Sequence, residues 1–264
     1  MEYTLEQLFN TKAIKYNNRA EQIKIYEYFV KMHPLRINNN LVTKAQVNRA
    51  FKVFILRDLN RFTTEEINLK YNLNISELGI WIKLHETEKQ DYFAFVTEAG
   101  IYKKARIDKS KNKMLISVAN DYGRASMEYE HKRLSYSSHL FDKDVDVGIS
   151  VHSLVCIAYG KYDGMQIDDI AGSSINHKNR NHYDNRPCNV EVSNIRGNNI
   201  HKIASDLLEK YGVFRSLDVE HSLIIYGWDN KQKINYINTL KKIIDSNNSE
   251  WINNEVIDEL LQSA

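Results

Sequence analysis

Apolar residues recur at helical spacing through the first part of the chain. Ile25, Tyr26, Phe29 and Met32 form one such set. Val47, Phe51, Phe54, Ile55 and Leu59 form another, and neither is interrupted by glycine or proline. Thr63 and Glu66 then have the three-residue spacing of a capping box, which predicts a helix start. Asn72-Leu73-Asn74 predicts a turn, and Ser76 is placed to cap a second helix. Two short helices with Ile67, Leu73, Leu78 and Trp81 turned inward have the shape of a helix-turn-helix. An αα-hairpin inside a helical core is the alternative.

From about residue 91 the period changes. Tyr92–Val96 and Met114–Val118 are short apolar runs between polar or glycine turns, and they read as strands. Between them runs a basic stretch opened by a tyrosine: Tyr102, Lys103, Lys104, Arg106, Lys109, Lys111 and Lys113. Such a stretch is either a hairpin that contacts phosphate or a solvated lysine-rich loop. Val151–Gly160 predicts a short buried helix closed by glycine. Asp168-Asp169 reads as a solvated loop. Beyond residue 203 two apolar stripes predict packing helices: Ile234, Ile237, Leu240 and Ile244, then Ile252, Val256, Ile257, Leu260 and Leu261. The expected fold is α+β and modular. A helical N-terminal module (1–90) is followed by a strand-rich region (91–150), a compact segment (151–203) and a helical C-terminal region (204–264).

Composition narrows the function classes. Of the 264 residues, 42% are hydrophobic and 27% charged, as in ordinary folded proteins, so wholesale disorder is not expected. No apolar run approaches the roughly 18–20 residues that span a bilayer. The first residues are acidic and amphipathic, unlike a secretory signal. Two cysteines, Cys156 and Cys188, rule out a disulfide framework or a four-cysteine zinc knuckle and suit a cytoplasmic setting. The wealth of Asn, Ile, Lys and Tyr is what AT-rich codons give, as in a low-GC bacterium or its phage. The net charge of +2 is too small to argue for a nucleic-acid partner, so local charge has to carry that case.

The segment 174–201 is where chemistry concentrates. A short strand ends in Asn176-His177, and a long polar loop follows. Cys188-Asn189-Val190-Glu191-Val192 returns as a second strand, and a helix starts near Arg196. A hairpin of this size is expected to gather Asn176, His177, Asn189 and Asn198. Neutral imidazole can take a proton from water near neutral pH, and amide oxygens are hard ligands suited to Mg2+ or Mn2+. Lys178, Arg180, Arg186, Arg196 and Lys202 outnumber Asp184 and Glu191 here, a balance that suits a polyanion. His182 is read as a loop residue near phosphate and His201 as a helix-face residue.

Five pieces in order resemble the HNH nucleases, particularly the phage and intron-encoded homing type: Val151-His152-Ser153-Leu154-Val155, Ile175-Asn176-His177, Asp184-Asn185, Cys188-Asn189-Val190 and Arg196-Gly197-Asn198. The resemblance covers roughly residues 140–203. It implies a ββα-metal hairpin and a metal-dependent DNA endonuclease. In that scheme His177 is the general base, Asn189 holds its ring and His152 supports the site. Asn176 and Asn198 ligate one Mg2+ or Mn2+. Several positions depart from the family's pattern, among them Asn176, where many members have an aspartate. His177-Lys178-Asn179-Arg180-Asn181 stands where "H-x-D-G-N" is usual, Ser153 replaces an arginine, and Gly197 replaces a glutamate. Double-stranded DNA is the expected substrate. Lys178, Arg180, Arg186 and Arg196 would contact it around the site, and Lys103, Lys104 and Arg106 from the strand-rich region. The helical end regions are available to a protein partner. The competing reading is a non-catalytic DNA- or protein-binding phage regulator or inhibitor that keeps the scaffold.

Overall fold

A computed structural model describes residues 36–37, 40–41, 44–111, 113–118, 131–138, 143–212 and 217–247. The apolar sets at 25–32 and 252–261 lie outside the described residues. The chain is mixed α/β and divides into two compact units. One comprises Met1–Ser173 with His182–Val190; the other comprises Ser174–Asn181 with Glu191–Ala264.

In the first unit, strands β1 (Arg36–Ile37) and β2 (Asn40–Leu41) pair antiparallel. Helix α1 (Lys44–Arg57) follows and buries Ala50, Val53 and Leu56. Strand β3 (Arg61–Thr63) leads directly into helix α2 (Thr64–Tyr71). The capping box expected there is present: the Thr63 hydroxyl accepts from the Glu66 N–H at 3.2 Å, and the Glu66 carboxylate accepts from the Thr63 N–H at 2.7 Å. Asn72 ends α2 in the left-handed conformation that asparagine tolerates.

The second helix expected from Ser76 does not form. Residues Gly79–Glu86 are strand β4, and Leu78 is exposed. Ile80-Trp81-Ile82-Lys83-Leu84 is rich in β-branched and aromatic side chains, which fit a pleated surface better than a helix. Its partner is β5 (Gln90–Thr97), in the register Ile80↔Val96, Trp81↔Phe95 and Ile82↔Ala94. With no helix after the Asn72 turn, residues 63–83 do not form a helix-turn-helix. The β4–β5 hairpin instead runs across residue 90, where the sequence suggested a boundary.

Strands β6 (Tyr102–Asp108) and β7 (Lys113–Val118) complete an antiparallel sheet of order β3-β4-β5-β6-β7. On one face Trp81, Phe93, Phe95, Ala105 and Ile107 pack with Ile67 and Tyr71 of α2. Trp81 stacks on Phe95 with ring centroids 4.1 Å apart, and its indole N–H donates to the Thr64 hydroxyl at 3.1 Å. A second hairpin pairs β8 (His131–Ser138) with β9 (Lys143–Ser150). The predicted buried helix is α3 (Val151–Ala158), and Gly160 beyond it takes a positive φ. Asp168 and Asp169 lie in the first turn of α4 (Ile167–Gly172) and not in a loop. Carboxylates favour that end of a helix.

In the second unit, β10 (Ser173–His177) pairs with β11 (Val190–Asn194), and the chain continues directly into α5 (Ile195–Lys210). Helices α6 (Val219–Gly227) and α7 (Asn230–Asn247) follow. Ala204, Leu208, Leu217, Ile225, Tyr236, Ile237 and Leu240 form the core. Ile237 and Leu240 of the predicted stripe are therefore inside, whereas Ile234 is exposed. Among the described residues no helix is long and apolar enough to cross a membrane.

Candidate functional site

Arginines on and just after α1 fix the approach to β10, all within the first unit. Arg61 donates to the Ile157 carbonyl at 2.9 Å and grips Asp163 through both carboxylate oxygens. Arg57 donates to the Tyr162 carbonyl at 3.1 Å. Arg49 donates to the carbonyls of Ile170 and Ser173 and to the Ser173 hydroxyl. The guanidinium fork suits this work, since one side chain can donate to several carbonyls at once.

β10 ends on two buried polar residues. Ile175, Asn176 and His177 are all buried, with Asn176 only 3% and His177 4% exposed, so the usual alternation fails at its last residues. Buried polar groups need partners. The Asn176 side-chain NH2 donates to Glu191 on β11 at 2.7 Å. The same carboxylate oxygen accepts the Val219 N–H, 2.9 Å away, from the first turn of α6. Burial pushes the Glu191 carboxyl up, while those two donors pull it down by less. Glu191 did not stand out in the sequence, because Val219 lies far along the chain.

After His177 the chain turns sharply. The Arg180 N–H donates to the His177 carbonyl at 2.9 Å, and Arg180 sits at φ 60°. Asn72 is the other non-glycine residue with positive φ among those described. Arg180 occupies the place of the glycine in the "H-x-D-G-N" pattern, so the left-handed geometry is kept without the residue that adopts it most easily. Its side chain pairs with Asp206 at 2.6 Å and Glu209 at 3.2 Å on α5. Arg180→Gly should therefore be more stable than Arg180→Ala by about 1 kcal/mol in urea denaturation. Both variants lose the ion pairs, but only glycine relieves the backbone. Equal stabilities would mean that the turn is not left-handed.

The Lys178 carbonyl accepts from the Leu217 N–H at 3.1 Å and lies 3.2 Å from Nε2 of His201. His201 is buried on the inner side of α5, not set on an open helix face, and burial favours its neutral form. Asn198 lies half-buried in the first turn of α5. That helix is capped by Asn194, whose side-chain oxygen accepts the Gly197 N–H at 2.7 Å. A Cβ on Gly197 would fall 2.5 Å from Cγ1 of Val219, which explains the glycine where the family pattern has glutamate. Arg196 is exposed.

Residues 182–190 belong to the first unit. The backbone of Asn185 lies against Gly100, which has φ +75° and no room for a Cβ. Lys161 donates to the carbonyls of Pro187 at 2.7 Å and Val190 at 2.5 Å. The Asn189 side-chain NH2 donates to the Asp184 carbonyl at 2.7 Å, which fixes the plane of its amide. Arg186 pairs with Asp184, and His182 and Tyr183 are exposed. His152 is half-buried on α3.

The basic run of β6 divides between the two faces of its strand, as alternation requires. Lys103, its side chain 17% exposed, faces inward and pairs with Glu77 at 2.6 Å. Lys104 and Arg106 point outward and are exposed. Lys109 pairs with Asp91 and Glu86.

Among the described residues no group of three or more His, Cys, Asp or Glu is arranged to hold a metal ion. The donor set of the resemblance is of another kind, two amide oxygens beside a histidine. The Asn176 NH2 is engaged by Glu191, so its amide oxygen is the end left to accept from a donor or bind a hard cation. No family model matches the chain, and neither the curated proteins nor the solved structures contain a match.

Proposed function

We propose that the protein is a metal-dependent DNA endonuclease of the HNH type. The observation that carries this reading is local. A strand ends on buried Asn176-His177, turns left-handed at the position of the motif's glycine, and pairs with a strand that runs directly into a helix bearing Asn198 in its first turn. His177 would take the proton from the attacking water, and the resemblance gives Asn189 the role of holding its ring. Asn176 and Asn198 would hold one Mg2+ or Mn2+. When bound, such an ion would supply charge neutralisation at the phosphate undergoing hydrolysis. The resemblance gives His152 a supporting role. By analogy with the family, the products carry 5′-phosphate and 3′-hydroxyl ends.

Phosphate contacts fall to Lys178 and Arg196 near the hairpin and to the exposed Lys104 and Arg106 of β6. Arg180 and Arg186 are held in exposed ion pairs worth at most about 1 kcal/mol, little enough for phosphate to compete. Lys103 is the weakest of these candidates because it already neutralises Glu77.

The test is cleavage of supercoiled plasmid with Mg2+, Mn2+ or EDTA. Cleavage should require the divalent ion. Asn176→Ala and Asn198→Ala should each raise the Mn2+ concentration for half-maximal activity by about 10-fold or more, because each removes a ligand from an uncharged set. DNA binding without cleavage at any metal concentration would favour the non-catalytic regulator.

A further inference from the structure

We infer that Glu191 is a positioning residue for the metal site, and that α6 holds it in place for this purpose. The inference rests on the nuclease reading and adds a residue to it. An asparagine can ligate a hard cation only through its oxygen, yet its amide can rotate to present either end. Something must choose. In β10 the chooser is the Glu191 oxygen 2.7 Å from the Asn176 nitrogen. That oxygen also receives the Val219 N–H. A backbone N–H can only donate, so this oxygen acts as an acceptor and must face the NH2 of Asn176, whatever the state of the carboxyl's other oxygen.

The bracing reaches further. Asp218 caps α6 by accepting the His221 N–H at 2.8 Å, which fixes the first turn from which the Val219 N–H points. Gly197 lets Val219 approach the first turn of α5, where a Cβ would meet Cγ1 of Val219 at 2.5 Å. Asn198, the second proposed ligand, is the next residue. One valine thus contributes its N–H to the carboxylate that orients Asn176 and its side chain to the packing beside Asn198.

The experiment measures Mn2+ binding to the full chain without DNA by electron paramagnetic resonance, alongside plasmid cleavage across a Mn2+ series. Glu191→Met removes the acceptor and keeps the length. It should weaken Mn2+ binding about 10-fold or more, as loss of groups that orient ligands does elsewhere. The rate at saturating Mn2+ should change much less. Glu191→Gln can place an oxygen at the same point, and it should retain affinity within a few-fold. In an Asn176→Ala background Glu191→Met should have little further effect, since the amide it orients is gone. If Asn176→Ala weakens Mn2+ binding and Glu191→Met does not, the positioning role fails and the nuclease reading stands. If Glu191→Met and Glu191→Gln lose affinity equally, or if their losses persist undiminished without Asn176, the carboxylate only supports the fold. If neither asparagine affects Mn2+ binding, both the site and this role are overturned.

Discussion

His177→Ala should lower the rate of plasmid cleavage by about 10²–10⁴, the usual cost of losing a general base. DNA affinity should stay near that of the unaltered protein, because a base acts in the chemical step and not in docking. The side chain is 4% exposed at the end of β10, so its removal leaves a small buried gap, and a thermal melt must accompany the assay. The informative result is a folded variant that binds and does not cut. Cleavage at the rate of the unaltered protein would remove His177 from the chemistry and return the choice to the non-catalytic regulator. Loss of binding together with cleavage would mean that the histidine supports the hairpin and does not act on water.

Trp81→Ala should cost about 3–5 kcal/mol in urea denaturation followed by circular dichroism. Trp81 is fully buried, stacks on Phe95, meets Phe93 edge-on at 5.8 Å between centroids, and uses its only polar atom on Thr64. Alanine empties that volume and leaves the Thr64 hydroxyl without its donor. The neighbouring substitution makes the test specific to a strand. Ile82 is also fully buried, on the opposite face of the sheet, and Ile82→Ala should cost about 2–5 kcal/mol. A strand covered on both faces buries both residues, whereas the amphipathic helix expected here, with Leu78 and Trp81 inward, would turn Ile82 about 100° away from Trp81. A cost below about 1 kcal/mol for Ile82→Ala, with Trp81 still sensitive, would restore the helix that the sequence suggested.

The error at β4 shows what a sequence window leaves out. Leu78 and Trp81 stand three apart, and Ser76 precedes them at a capping distance, so local pattern favours a helix. What decides is Phe93 and Phe95, which offer Trp81 a flat apolar partner only after the chain has turned back. Thr63 and Glu66 were legible because both halves of the capping box lie within one turn. The strand ending in Asn176-His177 and the helix starting near Arg196 were legible because period and polarity change sharply there, while the returning strand expected at Cys188–Val192 forms two residues later, at Val190–Asn194. Glu191 was not legible, because its partner at Val219 comes from a later helix. The unusual Gly197 was visible as a departure, but its cause was hidden until Val219 was seen against it.

The path of the chain between Ser173 and Glu191 governs how this protein can be divided. It leaves the first unit after Ser173, returns at His182 and leaves again after Val190. The returning stretch is fastened by Lys161 and backed by Gly100, far upstream in the sequence. The segment that carries His177 therefore cannot be cut out and grafted elsewhere as a cassette. A fragment of residues 151–203 would keep Lys161 but lack Gly100, and one starting at residue 174 would lack both. An engineer seeking a portable cutter, or recombination shuffling nuclease hairpins between genes, would have to transfer the β5–β6 turn as well.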